Sequence, residues 1–129
     1  MRKFLLDSDI LIDFFKKKEY AVNFVNSLLA KGTPFISILS IAELRSGWTV
    51  EQTKFFLPKL YDFAEILNLN KAIAELAGQY RQEYGGKGIL LPVVDTLIAS
   101  TAILEKCQLV TRNKKDYPMK EIKFYPIGE

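Results

Sequence analysis

Short apolar segments alternate along this chain with longer stretches whose apolar residues recur every three or four positions, and no two apolar segments are joined by a tight turn. That alternation is the strongest constraint on the fold. Parallel strands need a crossover of a dozen or more residues, usually a helix, so strands separated by helices belong to a parallel sheet. Lys3–Leu6, Pro34–Ile38, Glu65–Leu69, Gln108–Thr111 and Lys123–Tyr125 read as strands. Between them, Ile10–Phe15 reads as a helical turn, and Tyr20–Leu29 carries Val22, Val25, Leu28 and Leu29 on one helical face. Ser40-Ile41-Ala42-Glu43 matches a capping box opening a helix. Thr53–Phe63 is helical in pattern, with Pro58 expected to kink or restart it. Asn70 caps a further helix with Ile73, Leu76, Ala77, Tyr80 and Tyr84 on its apolar face, and Gly85–Gly88 reads as a flexible loop. Asp95 opens the last helix, to Leu104. The expected fold class is α/β, a three-layer α/β/α sandwich around a central parallel sheet. At 129 residues the expectation is a single domain spanning 1–129.

Three absences narrow the chemistry. The chain has no His, which excludes Ser-His and Cys-His catalysis and any imidazole metal site. Its one Cys, Cys107, allows no internal disulfide and no thiolate zinc cluster, and reads as a small buried hydrophobe. No apolar run approaches the roughly 20 residues of a membrane helix. The segment Met1–Asp7 meets an acid too early for a signal peptide, so the expected location is cytoplasmic, with no membrane partner. A net charge of +3 permits a nucleic-acid partner without requiring one.

Four acids fall where a parallel sheet would gather them. Asp7 follows the first strand, and Glu43 lies one turn into the helix after the second. Asp95 follows the Leu90–Val94 stretch, and Asp116 sits in the loop after Gln108–Thr111. All four would come from the carboxyl edge of the sheet, where α/β proteins bind ligands. Two carboxylates at about 4 Å repel by roughly 4 kcal/mol at an effective dielectric near 20, so one is protonated, the pair separates, or a cation binds. Oxygen donors without His or Cys suit Mg²⁺ or Mn²⁺. Such an ion activates water and offsets charge on a phosphodiester undergoing displacement. The pattern therefore points to metal-dependent phosphodiester hydrolysis with Asp7, Glu43, Asp95 and Asp116 as catalytic metal ligands. Each acid also has an ordinary explanation: Asp7 and Asp95 as helix caps, Glu43 as the capping-box partner of Ser40, and Asp116 as a turn residue.

Four segments resemble the PIN-domain ribonucleases, specifically the VapC-type toxins of toxin–antitoxin pairs. They are Phe4–Asp13, Ser40–Gly47, Asp95–Ala102 and Leu109–Tyr117, in family order and spread over nearly the whole chain. The resemblance implies a parallel sheet between helices and metal-binding acids at Asp7, Glu43, Asp95 and Asp116. It also implies single-stranded RNA regions as substrate, a homodimer, and a small antitoxin whose tail covers the site. Thr111 and Asn113 match polar residues that support the last acid, and Ser8 matches a hydroxyl residue that orients the first. Asp9 departs from the pattern, standing where a small neutral polar residue is usual. Asn113 occupies a position that carries Asp in some members.

Arg45 and Arg112 lie near the acidic edge and are candidates to hold RNA phosphates. Lys114 and Lys115 read as a solvated loop. Phe55, Phe56, Tyr61 and Phe63, with Trp48, fit a core cluster or a partner groove. Two other functions remain open. Asp7-Ser8-Asp9 after an apolar strand also resembles the opening motif of haloacid-dehalogenase-like phosphatases, in which Asp7 would be the nucleophile. A non-catalytic binding module with capping acids is the other.

Overall fold

The computed structural model describes residues 2–128; Met1 and Glu129, the ends of the expected unit, lie outside the described residues. The element order is β1 (Arg2–Leu6), α1 (Ser8–Phe15), α2 (Glu19–Leu29), β2 (Gly32–Ser37), α3 (Ile38–Gly47), α4 (Val50–Phe63), β3 (Glu65–Leu67), α5 (Lys71–Gly86), α6 (Val93–Leu104) and β4 (Gln108–Val110), followed by a single 3-10 turn at Lys114–Asp116. The strands form one parallel sheet in the order β3-β2-β1-β4.

Strand alternation divides the core into two layers. Phe4 and Leu6 of β1, Ile36 of β2 and Val110 of β4 pack with Ile10, Leu11, Val25, Leu28, Leu44 and Leu60, under α1–α4. Leu5 and Leu109 face the other way, onto Tyr80, Ile98, Ala99 and Ala102 of α5 and α6. The sheet is thus covered on both faces, as the helix-separated strands require. Gly32 opens β2 opposite Arg2 because the strands leave no room there: an added Cβ would lie 2.3 Å from the Arg2 carbonyl oxygen.

Several expected boundaries moved. Residues 123–125 form no strand; Phe124 makes an isolated parallel bridge to Leu109, held by Leu109 N–H to the Lys123 carbonyl at 2.8 Å and Tyr125 N–H to the Leu109 carbonyl at 3.0 Å. The third strand stops at Leu67, two residues short of Leu69. The helix after β2 is capped by Ser37, whose Oγ accepts from Leu39 N–H at 3.1 Å, not by Ser40. Ser40 is instead fully buried within the helix, and its hydroxyl has no partner among the described residues. Helix α5 is capped by Asn70 as expected but runs through Gly85 and Gly86, and only Gly88, at φ +80°, takes the left-handed conformation that ends the turn. Pro58 lies inside α4, which continues past it.

Candidate active site

The carboxyl edge of the sheet positions the first groups. Asp7 follows β1 directly, and its amide donates to the Val110 carbonyl at 2.9 Å, tying the ends of the two adjacent strands. Thr111 follows β4, and α3 begins at the end of β2. Asp95 reaches this edge by a different route. A tight turn through Lys106, at φ +57°, separates α6 from β4, so α6 runs back along the sheet and its first turn lies at the carboxyl end.

Asp7 is 7% exposed, and its carboxylate is well supplied with donors. Oδ1 accepts from Ser8 N–H at 2.8 Å. Oδ2 accepts from the Thr111 hydroxyl at 2.9 Å and the Tyr117 hydroxyl at 2.7 Å. A carboxylate has about four acceptor positions, so three donors fill Oδ2 and leave one lone pair on Oδ1. Tyr117 is buried, and burial followed by the Asp7 charge raises its pKa far beyond the ordinary phenol range, so it stays a donor.

Glu43 stands on the exposed side of α3, and its Oε1 accepts from the Ser8 hydroxyl at 2.6 Å. Ser8 therefore serves two acids, with its amide on Asp7 and its hydroxyl on Glu43. Asp9 is held by its own helix and by the β4 loop: Oδ1 accepts from Ile10 N–H at 2.7 Å and Oδ2 from Arg112 N–H at 2.8 Å, with the Thr111 hydroxyl at 3.3 Å. Burial and the neighbouring Asp7 charge raise the Asp9 pKa, and those hydrogen bonds work in the opposite direction.

Asp95 is the third residue of α6, and the N-cap, Pro92, has no side-chain cap. Its pKa is pushed up to about 6, first by burial and then by the charges of Asp7, Asp116, Glu43 and Asp9. The charges of the other three acids expected to converge, and of Asp9, thus reach Asp95. Asp116 sits exposed in the 3-10 turn. Asn113 contributes its backbone there: its N–H donates to Thr111 Oγ1 at 3.1 Å and its carbonyl accepts from Asp116 N–H at 3.0 Å.

The donor set is all oxygen, and Cys107, before β4, lies at the opposite end of the sheet. These donors fit Mg²⁺ or Mn²⁺ in kind. Among the described residues no three acids stand where they would hold one ion together. Mg²⁺ commonly keeps several waters and binds through one or two carboxylates plus substrate phosphate, so it does not need three protein acids.

Arg112 Nη1 lies 2.7 Å from Asp13 Oδ2, and the Arg112 side chain is 51% exposed. With Tyr20, Thr111, Lys114 and Lys115 it lines a basic cleft of about 720 Å³. Arg45 is exposed in the last turn of α3. Sequence reasoning missed Tyr117 as the donor to Asp7 and missed the Asp13–Arg112 ion pair. The paired residues lie 110 and 99 positions apart, and no local pattern marks them.

Comparison with known proteins identifies the family pattern. The PIN domain model matches residues 4–124. Ribonuclease VapC1 of Methanocaldococcus jannaschii is 29% identical over 115 residues, 89% of this chain and 79% of the relative. Ribonuclease VapC2 of Rickettsia felis is 32% identical over 123 residues, covering 88% of this chain and 89% of the relative. The crystal structure of VapBC2 from Rickettsia felis bound to a promoter DNA fragment superposes with a TM-score of 0.84 at 26% identity, over 95% of this chain and 97% of that one.

Proposed function

The chain belongs to the PIN-domain family, and on that premise we propose that it is a metal-dependent endoribonuclease, the toxin of a toxin–antitoxin pair. The observation that carries this reading is the gathering of acids at the carboxyl ends of β1 and β4, where Ser8 joins Asp7 to Glu43 and Thr111 joins Asp7 to Asp9, with the charges of Asp7, Asp116, Glu43 and Asp9 adding to burial in raising the Asp95 pKa. A protein that keeps so many acids at one sheet edge gains most from a divalent cation there. Neither the phosphatase reading of Asp7-Ser8-Asp9 nor the binding-module reading draws support from relatives named ribonucleases.

Asp7, through its remaining Oδ1 lone pair, and Asp95 would hold Mg²⁺ or Mn²⁺, with Glu43 and Asp116 at the rim. The bound ion would supply Lewis acidity to the scissile phosphate and lower the pKa of a coordinated water. Thr111 and Tyr117 fix the Asp7 carboxylate through Oδ2, leaving the remaining Oδ1 position for the ion. Ser8 holds Glu43 Oε1 at 2.6 Å, from where the Glu43 carboxylate would orient the attacking water. Arg45 and the exposed part of Arg112 would receive flanking RNA phosphates, with Lys114 and Lys115 lining the adjoining cleft.

Two adjoining apolar depressions support an antitoxin partner. One, of about 650 Å³, lies among Phe14, Val22, Leu29, Phe56 and Phe63. The other, of about 350 Å³, runs past Ile12, Trp48 and Phe56 to Glu43. A partner segment lying along both would end at the acids and block them. A homodimer in the cytoplasm completes the proposal; no helix among the described residues is long and apolar enough to cross a membrane.

The test is cleavage of a single-stranded RNA by protein freed of host nuclease. Activity should require added Mg²⁺ or Mn²⁺, stop with chelator, and vanish in Asp7→Asn with the fold retained by circular dichroism. Wild-type cleavage rates in Asp7→Asn would overturn the assignment.

A further inference from the structure

Asp13 lies outside the acidic centre and has no part in the mechanism above, yet it is a carboxylate only 5% exposed, near the end of α1. A buried charge is costly unless it is paired, and this one has three side-chain partners. The Tyr20 hydroxyl of α2 donates to Oδ2, Arg112 Nη1 lies 2.7 Å from Oδ2, and Lys18 Nζ lies 3.2 Å from Oδ1. Lys18 is only five residues away and joins nothing distant. Arg112 comes from the other end of the chain, on the loop after β4. Its guanidinium also lies over the Tyr20 ring, 5.3 Å from the centroid.

The same short loop makes the contacts that shape the acidic centre. The Arg112 amide is on Asp9 Oδ2 at 2.8 Å, the neighbouring Thr111 hydroxyl is on Asp7 Oδ2 at 2.9 Å, and Asp116 and Tyr117 follow within five residues. Three acids of one segment, Asp7, Asp9 and Asp13, therefore grip two adjacent residues of the loop, each by a different group.

We infer that Asp13 is a positioning residue for the acidic centre: its ion pair with Arg112 holds the 111–116 loop against the start of α1, so that Thr111 stays on Asp7 and Asp116 stays at the rim. The role rests on the metal-dependent nuclease reading for its effect on cleavage, but its effect on cation binding is measurable without RNA. Partners of this outer kind typically change metal affinity or activity by roughly 10- to 100-fold when removed.

The experiment measures Mn²⁺ affinity of the full chain without RNA, and kcat and KM on single-stranded RNA with saturating Mn²⁺. The variants are Asp13→Asn, Arg112→Gln, their combination, Arg112→Lys and, as a control, Lys18→Gln. Asp13→Asn and Arg112→Gln should each weaken Mn²⁺ binding about tenfold and lower kcat, with KM little changed in Asp13→Asn and raised in Arg112→Gln, which also gives up a phosphate contact. The double variant should be no worse than the poorer single one, since both break one tie. Arg112→Lys should recover most of the loss, and Lys18→Gln should match wild type. Wild-type Mn²⁺ affinity and kcat in Asp13→Asn would overturn the inference. So would additive losses, or a loss confined to KM in Arg112→Gln, which would mark Arg112 as an RNA contact alone. If Asp13→Asn fails to fold, the half-exposed Arg112→Gln decides the matter. A wild type that binds Mn²⁺ but cuts no RNA would sink the nuclease reading and leave the Mn²⁺ comparison to judge Asp13; a wild type that binds no Mn²⁺ would sink both.

Discussion

Replacing Asp95 by Asn in metal-free protein is expected to stabilise it. The Asp95 pKa rises from 3.8 to about 6, through burial first and then through Asp7, Asp116, Glu43 and Asp9. Two pKa units correspond to about 3 kcal/mol against the ionised form. Asp95 is only partly buried, so solvent screening reduces that figure to about 1–2 kcal/mol. Asn also gives up a favourable charge in the first turn of α6, worth about 0.3–1 kcal/mol, leaving a net gain of about 1 kcal/mol. With an unfolding entropy of about 2.1 cal/mol/K per residue, that raises the Tm by roughly 4 °C for a chain of this size. The sign depends on pH. An acid whose folded pKa is raised destabilises the fold once ionised, so the advantage of Asn should be full above pH 6, shrink as pH falls, and disappear below the unfolded value of 3.8. Melting curves followed by circular dichroism at pH 8 and pH 3.5 in chelator measure it. Added Mg²⁺ should then raise the wild-type Tm more than that of the variant. A variant that melts several degrees below wild type at pH 8 without metal would refute the reasoning, because that is the signature of a lost helix cap.

Other changes follow from single contacts. Tyr117→Phe removes a buried donor from Asp7 Oδ2; it should cost about 1–3 kcal/mol in chemical denaturation and lower cleavage roughly 10- to 100-fold. Ser8→Ala releases Glu43 Oε1 and should lower kcat in single-turnover cleavage while RNA binding is unchanged. Gly32→Ala places a Cβ 2.3 Å from the Arg2 carbonyl oxygen; it should lower stability by about 2 kcal/mol or more by separating β1 from β2, read as a lower urea midpoint.

Much of this arrangement was legible in the sequence because it rests on local rules. Apolar segments separated by helical spacing point to the parallel sheet, Asn70 to a cap, and an acid at the end of β1 to the sheet edge as the candidate site. The errors arose where two local rules competed. Ser40 and Glu43 satisfy the capping-box spacing, but Ser37, at the end of β2, reaches the helix first, and Glu43 is turned to Ser8 instead. Residues 123–125 alternate like a strand, yet only Phe124 lies beside Leu109 closely enough to bridge. Gly85 and Gly86 look like a loop, yet α5 carries its hydrogen bonding through them. Asp95 reads as a cap and is not one, because the helix starts two residues earlier. Thr111 was expected to support the last acid and instead supports Asp7, 104 positions earlier. Such contacts depend on which strands are neighbours in the sheet, and no spacing along the chain encodes that.

The central claim is that acids scattered over more than a hundred positions form one divalent-cation site at the sheet edge. A crystal soaked in Mn²⁺, with anomalous scattering recorded, tests it most directly. The expected result is a peak within ligand distance of Asp7 Oδ1 and the Asp95 carboxylate. Mn²⁺ bound elsewhere with this edge empty, or Asp7 and Asp95 turned away from each other, would contradict it.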